Sequence, residues 1–244
     1  FVIDYKKVFI NHDLSIPFIS SNIIRMKDKW LIENIDFVVN VMNKNYFVDR
    51  NINDKCDFAI TTIGKKSNKQ IIEANRWIIN DEEREKITFK DFENNIQNIS
   101  TFLKENNKNS IFIISHGMQG SNQNNLTGAL SIEGEFKTYD IDDFKFIDDL
   151  KCIALLSCSS GTLSLGEYET SNSIVSKILT KKINSALLCR WDVFLEPSLE
   201  IFEKIIFSKK ENIEESVNKA IKEYINKNAN QHPVYWAGIE VWKN

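Results

Sequence analysis

Glycine, proline and histidine are all scarce in this chain. Its 244 residues include 8 glycines, 3 prolines and 3 histidines. So little glycine and proline excludes collagen-like and low-complexity chains, while 42% hydrophobic residues are typical of a folded globular protein. A chain of this length forms one large domain or two small ones. The few histidines also leave few candidates for a catalytic base.

Long hydrophobic runs and an excess of one charge are also absent. No apolar stretch reaches the roughly 18–20 residues that cross a membrane, and the formal net charge is only -3. The lysines lie among acidic residues, so we expect neither direct nucleic-acid binding nor membrane association. The chain also lacks the G-x-G-x-x-G and G-x-x-x-x-G-K-S/T loops of nucleotide-binding α/β domains.

Cysteine is present at few positions, and no two cysteines are spaced as a C-x-x-C pair. The cysteines are Cys56, Cys152, Cys158 and Cys189. This spacing argues against a zinc site. Three of the four lie in or beside apolar runs, which favours buried, reduced thiols in a cytoplasmic protein.

His116 and Cys158 each end a run of branched apolar residues, over 111–115 and 152–157. Runs of this kind predict buried strands of a parallel sheet. A residue at the C-terminal end of such a strand lies at the edge where open α/β sheets bind ligands. If the two strands are neighbours, the sequence places a nucleophile beside a base. The alternative is a buried strand-end thiol and a turn histidine without chemistry.

A cysteine nucleophile also needs a proton acceptor and donors for an oxyanion. A thiol has a pKa of about 8.5, so a nearby imidazole must take its proton near neutral pH. Candidate oxyanion donors are the backbone N–H groups of Gly117 and Cys158, each worth roughly 3–4 kcal/mol in acyl transfer. The small residues Ser159, Ser160 and Gly161 are expected to leave the sulfur open.

The rest of the chain predicts alternating strands and helices. Strands are expected over 58–63, 111–116, 152–157, 185–191 and 233–242, with a hairpin over 129–137 that follows a loop at 117–128. Helices are expected over 67–80, 89–106, 141–150, 171–182, 196–207 and 212–228. This order predicts an α/β fold with a mostly parallel sheet and helices on both faces.

Residues 1–54 carry weaker signals, with possible strands at 8–10 and 37–39. We interpret them as a cap or a connection to an N-terminal region, and residues 55–244 as the main domain. Because the chain begins with Phe1, we expect it to be a piece of a longer protein.

Several short motifs follow one another from about residue 110 to the end. They are Ser115-His116-Gly117, residues 128–134 (GALSIEG), Tyr139-Asp140-Ile141, residues 156–161 (LSCSSG), residues 186–193 and residues 232–238 (HPVYWAG). In this order they resemble the CHAT family of caspase-like cysteine proteases, as found in proteins with tetratricopeptide repeats. Arg190 departs from the apolar residue that is more usual before Trp191.

The resemblance implies a caspase-like three-layer sandwich, with a mostly parallel sheet flanked by helices. It implies a cysteine endopeptidase with Cys158 as nucleophile, His116 as general base and acid, and an oxyanion hole at Gly117 and Cys158. No metal or organic cofactor is implied. The resemblance also implies that this is the C-terminal domain of a bacterial signalling or defence protein and that it cleaves a protein substrate. A sensor domain or an activator complex, which can contain RNA, is expected to regulate it.

The residues that would select the substrate form a less specific sequence pattern than the pair His116 and Cys158. Glu167 and Glu169 follow Cys158, and Asp192 follows Trp191. One interpretation is an acidic pocket for lysine or arginine, with Trp191 as a wall. The alternative is that these carboxylates are solvated or, for Glu169, lie near a helix N-terminus, and that Trp191 belongs to the core.

Two other classes of protein compete with a protease. A glutaminase-type amidotransferase would need Gly-x-Cys-x-Gly and His-x-Glu, whereas this chain has Ser157 before the cysteine and Val234 two residues after His232. A catalytically silent interaction domain of the same fold has no need of both His116 and Cys158. The reactivity of the thiol separates that alternative from an enzyme.

Overall fold

A computed structural model describes most of the sheet and the helices around it. The described residues are 7–12, 25–26, 29–33, 36–41, 56–63, 69–79, 89–91, 98–118, 129–131, 138–140, 150–158, 160, 178, 183–208 and 212–243.

The strands and helices alternate along the chain. The strands are β1 (Lys7–His12), β2 (Arg25–Met26), β3 (Lys29–Trp30), β4 (Asp36–Val41), β5 (Phe58–Ile63), β6 (Phe89–Asp91), β7 (Ser110–Met118), β8 (Ala129–Ser131), β9 (Thr138–Asp140), β10 (Cys152–Leu156), β11 (Ser185–Cys189) and β12 (Ile239–Lys243). The α-helices are α1 (Lys69–Ile79), α2 (Ile99–Glu105), α3 (Leu195–Phe207) and α4 (Ile213–Lys227). Short 3-10 helices cover Leu31–Glu33 and Pro233–Tyr235.

One large sheet organises the molecule, with the strand order β1-β4-β12-β11-β10-β7-β5-β6. Along this path β12 runs antiparallel to β11, and the other neighbouring pairs are parallel. The hairpin β8–β9 branches from the end of β7. The prediction of an α/β fold with a mostly parallel sheet is confirmed.

Side chains on each central strand alternate between two faces of the sheet. On β10, Ala154 and Leu156 belong to a core cluster with residues of α1, α3 and α4, while Ile153 and Leu155 are buried outside that cluster. The buried residues of α2 also lie outside it. This pattern is expected when helices cover both faces, and it is compatible with a three-layer sandwich.

The core on the α3 face is built around two stacked rings. Phe112 of β7 and Phe202 of α3 have ring centroids 4.7 Å apart and are both fully buried. Burial of each such side chain contributes about 1.5–3 kcal/mol. The central strands that carry the candidate site are therefore held against a well-packed helix.

The predicted helix over 89–106 is wrong at its beginning. Residues Phe89–Asp91 form β6, which pairs in parallel with Ile60–Thr62 of β5, and α2 begins only at Ile99. The backbone groups on the outer side of β5 gain hydrogen-bond partners from this strand, which overrides the helical spacing of the apolar residues.

The predicted strand over 233–242 is wrong in its first half. Pro233–Tyr235 form a 3-10 helix, and β12 starts at Ile239. His232 caps that helix by accepting the Val234 N–H at its Nδ1 atom, 3.2 Å away. Proline has a fixed φ and no N–H to donate to a strand ladder, which favours this first turn.

Two other boundaries differ by a few residues. Gly117 and Met118 belong to β7, where they pair with β8, so the predicted loop does not begin at residue 117. At the end of β11, Arg190 and Trp191 form a bend beyond the last strand residue, Cys189. The hairpin predicted over 129–137 is present, but its second strand, β9, begins only at Thr138.

Some predicted elements fall on residues outside the described part. The loop over 119–128, the hairpin turn at 133–134 and residues 141–149 lie there. Of the helix predicted over 171–182, the structure describes Ile178, which is helical.

The N-terminal region contributes to the main sheet. Both strands suggested at 8–10 and 37–39 are present, as β1 and β4, and β4 pairs with β12 through Val39 and Asn40. Ile32 is fully buried in the same core cluster as α3 and α4. The segment interpreted as a cap or connection thus supplies two strands to the main sheet and one residue to the core.

None of the helices in the described part of the chain combines the length and apolar character that crossing a bilayer requires.

Candidate functional site

The strands that lead to His116 and Cys158 are direct neighbours. β7 and β10 pair in parallel, with Ile113 opposite Leu155 and Ile114 opposite Leu156. His116 and Cys158 each follow the last paired residues, Ile114 and Leu156, by two positions, where the ladder between these two strands has ended. Neighbouring strands are about 4.8 Å apart. The condition that the sequence left open, that the two strands are adjacent, is therefore met in the backbone.

His116 lies where β7 leaves the central sheet. Its preceding residue, Ser115, is the last of β7 to pair with β5, opposite Ile63. From His116 onward β7 pairs with β8, with Gly117 opposite Leu130. The backbone at positions 116 and 117 is thus fixed by a second ladder beyond the carboxyl edge of the sheet.

Cys158 is held in a tight turn after β10. The Ser160 N–H donates to the Ser157 carbonyl oxygen at 3.2 Å, which closes the turn around Cys158. The Ser160 hydroxyl is fully buried, accepts the Cys189 N–H at 2.9 Å and donates to the Leu155 carbonyl at 3.4 Å. Ser160 was expected to leave the sulfur open, whereas its side chain points into the protein and fastens the turn.

The Cys158 thiol is partly exposed, and its pKa lies above the ordinary value. Partial burial is the main cause of the raised pKa, and the carboxylate of Asp192 adds to it. The backbone N–H groups of Val193 and of Cys158 itself act in the opposite direction because they hydrogen-bond the sulfur. The thiol is therefore protonated near neutral pH and needs a base to become a nucleophile.

The same effects on the pKa locate the segment after β11 near Cys158. The backbone N–H of Val193 and the charge of Asp192 both act on the Cys158 sulfur, with opposite effects on its pKa. Asp192 is exposed. Of the predicted pocket residues, Asp192 is thus near the sulfur, while Glu167 and Glu169 lie outside the described residues.

Trp191 is fixed at this edge by packing. Its indole N–H donates to the Val234 carbonyl at 3.1 Å, and its ring packs against the core cluster. The ring also covers Gly238, where a Cβ atom would lie only 2.7 Å from it. Close approach of this ring therefore requires glycine at 238, which explains part of the motif at 232–238.

Arg190 is engaged by a buried carboxylate. Its Nε atom lies 2.8 Å from Glu240, and the two side chains are 11% and 3% exposed. Its guanidinium carbon is 5.1 Å from the centre of the Trp242 ring, and its backbone N–H donates to the Gly238 carbonyl at 2.7 Å. Arg190 therefore joins β11 to β12, and its charge is directed at Glu240.

Of two further residues near the site, one was expected from the sequence and one was missed. Cys189 is a buried thiol, as its apolar run predicts, and its pKa is raised to about 12, mainly by burial, so it is inert near neutral pH. Phe194 is 50% exposed and contacts the Tyr235 ring, with centroids 4.8 Å apart. The sequence could not show that Phe194 is exposed, because a phenylalanine before a helix has the same pattern whether it is exposed or buried.

The donor set does not suggest a metal site. Among the residues that the structure describes, no group of three or more His, Cys, Asp and Glu side chains is arranged to hold a metal ion. All four cysteines are present as thiols.

The fold and the site together define an α/β protein with a histidine and a partly exposed cysteine at the ends of adjacent parallel strands. No family model matches the chain, and no curated protein matches it.

Proposed function

We propose that this chain is a cysteine endopeptidase domain of the caspase-like type, similar to the CHAT family. The observation that supports the proposal most directly is the parallel pairing of β7 and β10, whose last paired residues lie two positions before His116 and Cys158. A partly exposed cysteine in a tight turn adds to this support.

In the proposed reaction the Cys158 sulfur attacks the carbonyl carbon of the scissile peptide bond. His116 takes the thiol proton and passes it to the departing amine as the carbon–nitrogen bond breaks. The N–H groups of Gly117 and Cys158 stabilise the oxyanion that forms before this step. Water then hydrolyses the thioester, with His116 again as the base, which releases the acid product and restores the thiol.

The raised pKa of Cys158 fits an enzyme that is inactive until it is activated. Desolvation and the Asp192 charge both favour the protonated thiol in this conformation. We therefore propose that a sensor domain or an activator complex changes the surroundings of Cys158. The activator complex can contain RNA. The substrate is a protein, the activity is cytoplasmic, and neither a metal nor an organic cofactor takes part. Selection of a basic residue by Asp192, together with Glu167 and Glu169, belongs to this proposal.

The reactivity of Cys158 tests the proposal without knowledge of the substrate. Alkylation by iodoacetamide is followed from about pH 5 to about pH 9 in the wild type and in His116→Ala. A fast reaction that persists at low pH and collapses in His116→Ala supports the thiol–imidazole pair. Identical profiles that both follow the raised thiol pKa count against a preformed pair.

Cleavage of a mixed-sequence peptide library completes this test. We expect Cys158→Ala to abolish the cleavage shown by the activated wild type while the protein stays folded, since the nucleophile is lost. Cys56→Ala is the matched control, because Cys56 is another partly exposed thiol but precedes β5, at the opposite edge of the sheet. Normal cleavage by Cys158→Ala would refute the proposal.

A second candidate function is a catalytically silent interaction domain with the same fold. The raised pKa of Cys158 is the observation that favours it, because a protonated thiol is a poor nucleophile. This candidate predicts slow alkylation of Cys158 under every activating condition, whereas the protease predicts faster alkylation once the activator is bound.

A further inference from the structure

One side chain outside the proposed dyad fastens the turn that carries Cys158. Ser160 is fully buried, and its hydroxyl contacts the Cys189 N–H at 2.9 Å and the Leu155 carbonyl at 3.4 Å. A single oxygen thus joins the end of β10, the Cys158 turn and the end of β11.

This hydroxyl acts where the pairing of β10 with β11 ends. The last paired residues of the two strands are Ala154 and Leu187, but β11 continues to Cys189. A buried N–H without an acceptor costs free energy. The Ser160 hydroxyl supplies the acceptor for the Cys189 N–H from within the turn, so the turn is tied to the sheet at this point.

The Cys189 thiol fixes the same backbone from the other side. This thiol donates to the Leu155 carbonyl oxygen at 3.5 Å, and the Ser157 N–H lowers its pKa. The residues that lead into the turn therefore have their polar groups engaged by β11 as well as by the turn itself. The backbone that leads into Cys158 is therefore held by several polar contacts.

We infer that Ser160 is a positioning residue, whose hydroxyl fixes the Cys158 turn and so sets where the Cys158 sulfur lies relative to β7. The kinetic consequence rests on the proposed peptidase activity, while the fixed position of the thiol does not. A displacement of a reacting group by about 1 Å costs on the order of 100-fold in rate. A small movement of this turn is therefore enough to matter.

The test compares Ser160→Ala with Ser185→Ala. Both serines are fully buried and both changes delete one oxygen, but no hydrogen-bond partner of the Ser185 hydroxyl is found in the described part of the chain. Ser185 also begins β11, at the end of the strand away from Cys158. Site-resolved alkylation by iodoacetamide, thermal unfolding and peptide cleavage are measured for each variant.

In Ser160→Ala we expect kcat to fall roughly 10- to 100-fold with KM changed by less than about 3-fold. The pH profile of Cys158 alkylation should move toward that of an ordinary cysteine, and Cys189 should become labelled. Ser185→Ala should match the wild type in all three readouts. If both variants give the wild-type alkylation profiles, Ser160 does not position the thiol and the inference is overturned.

The alkylation readout keeps this inference separate from the proposed function. If no form of the protein cleaves peptides, the peptidase proposal fails while the comparison of alkylation profiles still decides the role of Ser160. If Ser160→Ala does not fold, amide exchange at Cys189 in the wild type decides instead. Strong protection supports the hydrogen bond to Ser160, and exchange as fast as that of an exposed amide overturns it.

Discussion

Asp192 is the residue whose charge most clearly opposes ionisation of Cys158. Its carboxylate raises the thiol pKa, while the Val193 N–H beside it lowers the same pKa. Two adjacent residues thus act on the sulfur with opposite sign. A small movement of this segment would change their balance and hence the pKa of the thiol.

Neutralising Asp192 should make Cys158 more reactive. In Asp192→Asn the repulsion of the thiolate is lost, so the thiol pKa falls and the alkylation profile moves to lower pH. Alkylation near neutral pH then becomes faster than in the wild type. Glu196→Gln is the control, since it removes an exposed carboxylate four residues away in the first turn of α3. If the alkylation profile of Asp192→Asn is unchanged, Asp192 does not act on the Cys158 thiol.

The sequence predicted that the strands leading to His116 and Cys158 are candidates for neighbours, but not what surrounds Cys158. The two strands do pair, as expected when apolar runs form adjacent strands of a parallel sheet. The role of Ser160 could not be predicted, because a serine after a cysteine has the same pattern whether it is exposed or buried. Its partner Cys189 lies 29 positions away and is reached only because β10 and β11 are neighbours.

At the level of elements, β11 and β12 are joined by side chains next to Trp191. Arg190 and Glu240 form a buried ion pair across these strands, and Arg190 also lies over the Trp242 ring. Removal of one partner from such a pair leaves a buried charge uncompensated, which is far more costly than the loss of an exposed pair.

We expect Arg190→Ala to lower the free energy of unfolding by about 3–5 kcal/mol. The matched control is Lys204→Ala, which breaks the exposed pair with Glu223 and should cost less than about 1 kcal/mol. Urea denaturation of both variants measures the difference. Equal losses in the two variants would mean that the Arg190–Glu240 pair is no more important than a surface pair.

The elements that the sequence predicted correctly are those with a local cause. β5 has a β-branched apolar run, α1, α3 and α4 have helical patterns, and each forms close to its predicted bounds. β6 was taken for the start of a helix because its strand state depends on β5, which lies about 30 residues earlier. A single-sequence pattern contains no information about such a partner.

On the scale of the whole molecule, β1 and β4 extend the sheet beyond β12, and α4 packs on β4. The sequence suggested that these segments are strands, but it gave no indication of where they pair. Their partner β12 lies near the other end of the chain.

Removal of residues 1–54 tests whether they are an independent cap. We expect chain 55–244 to unfold at a lower urea concentration than the full chain and to self-associate, since β12 loses a neighbour and the core loses Ile32. Ile32→Ala in the full chain should account for about 2–5 kcal/mol of this loss. A truncated chain with the same unfolding midpoint as the full chain would favour a separable cap.

The position of β12 between β4 and β11 also has a consequence for biosynthesis. About 200 residues separate Val39 from its partner Trp242. At ordinary translation rates the ribosome takes roughly 10–40 s to add that many residues. Throughout this interval the edge of β4 that pairs with β12 is open, and the edge of β11 is open for the roughly 50 residues between Cys189 and Ile239. The newly made polypeptide therefore has its greatest need of chaperones just before β12 emerges.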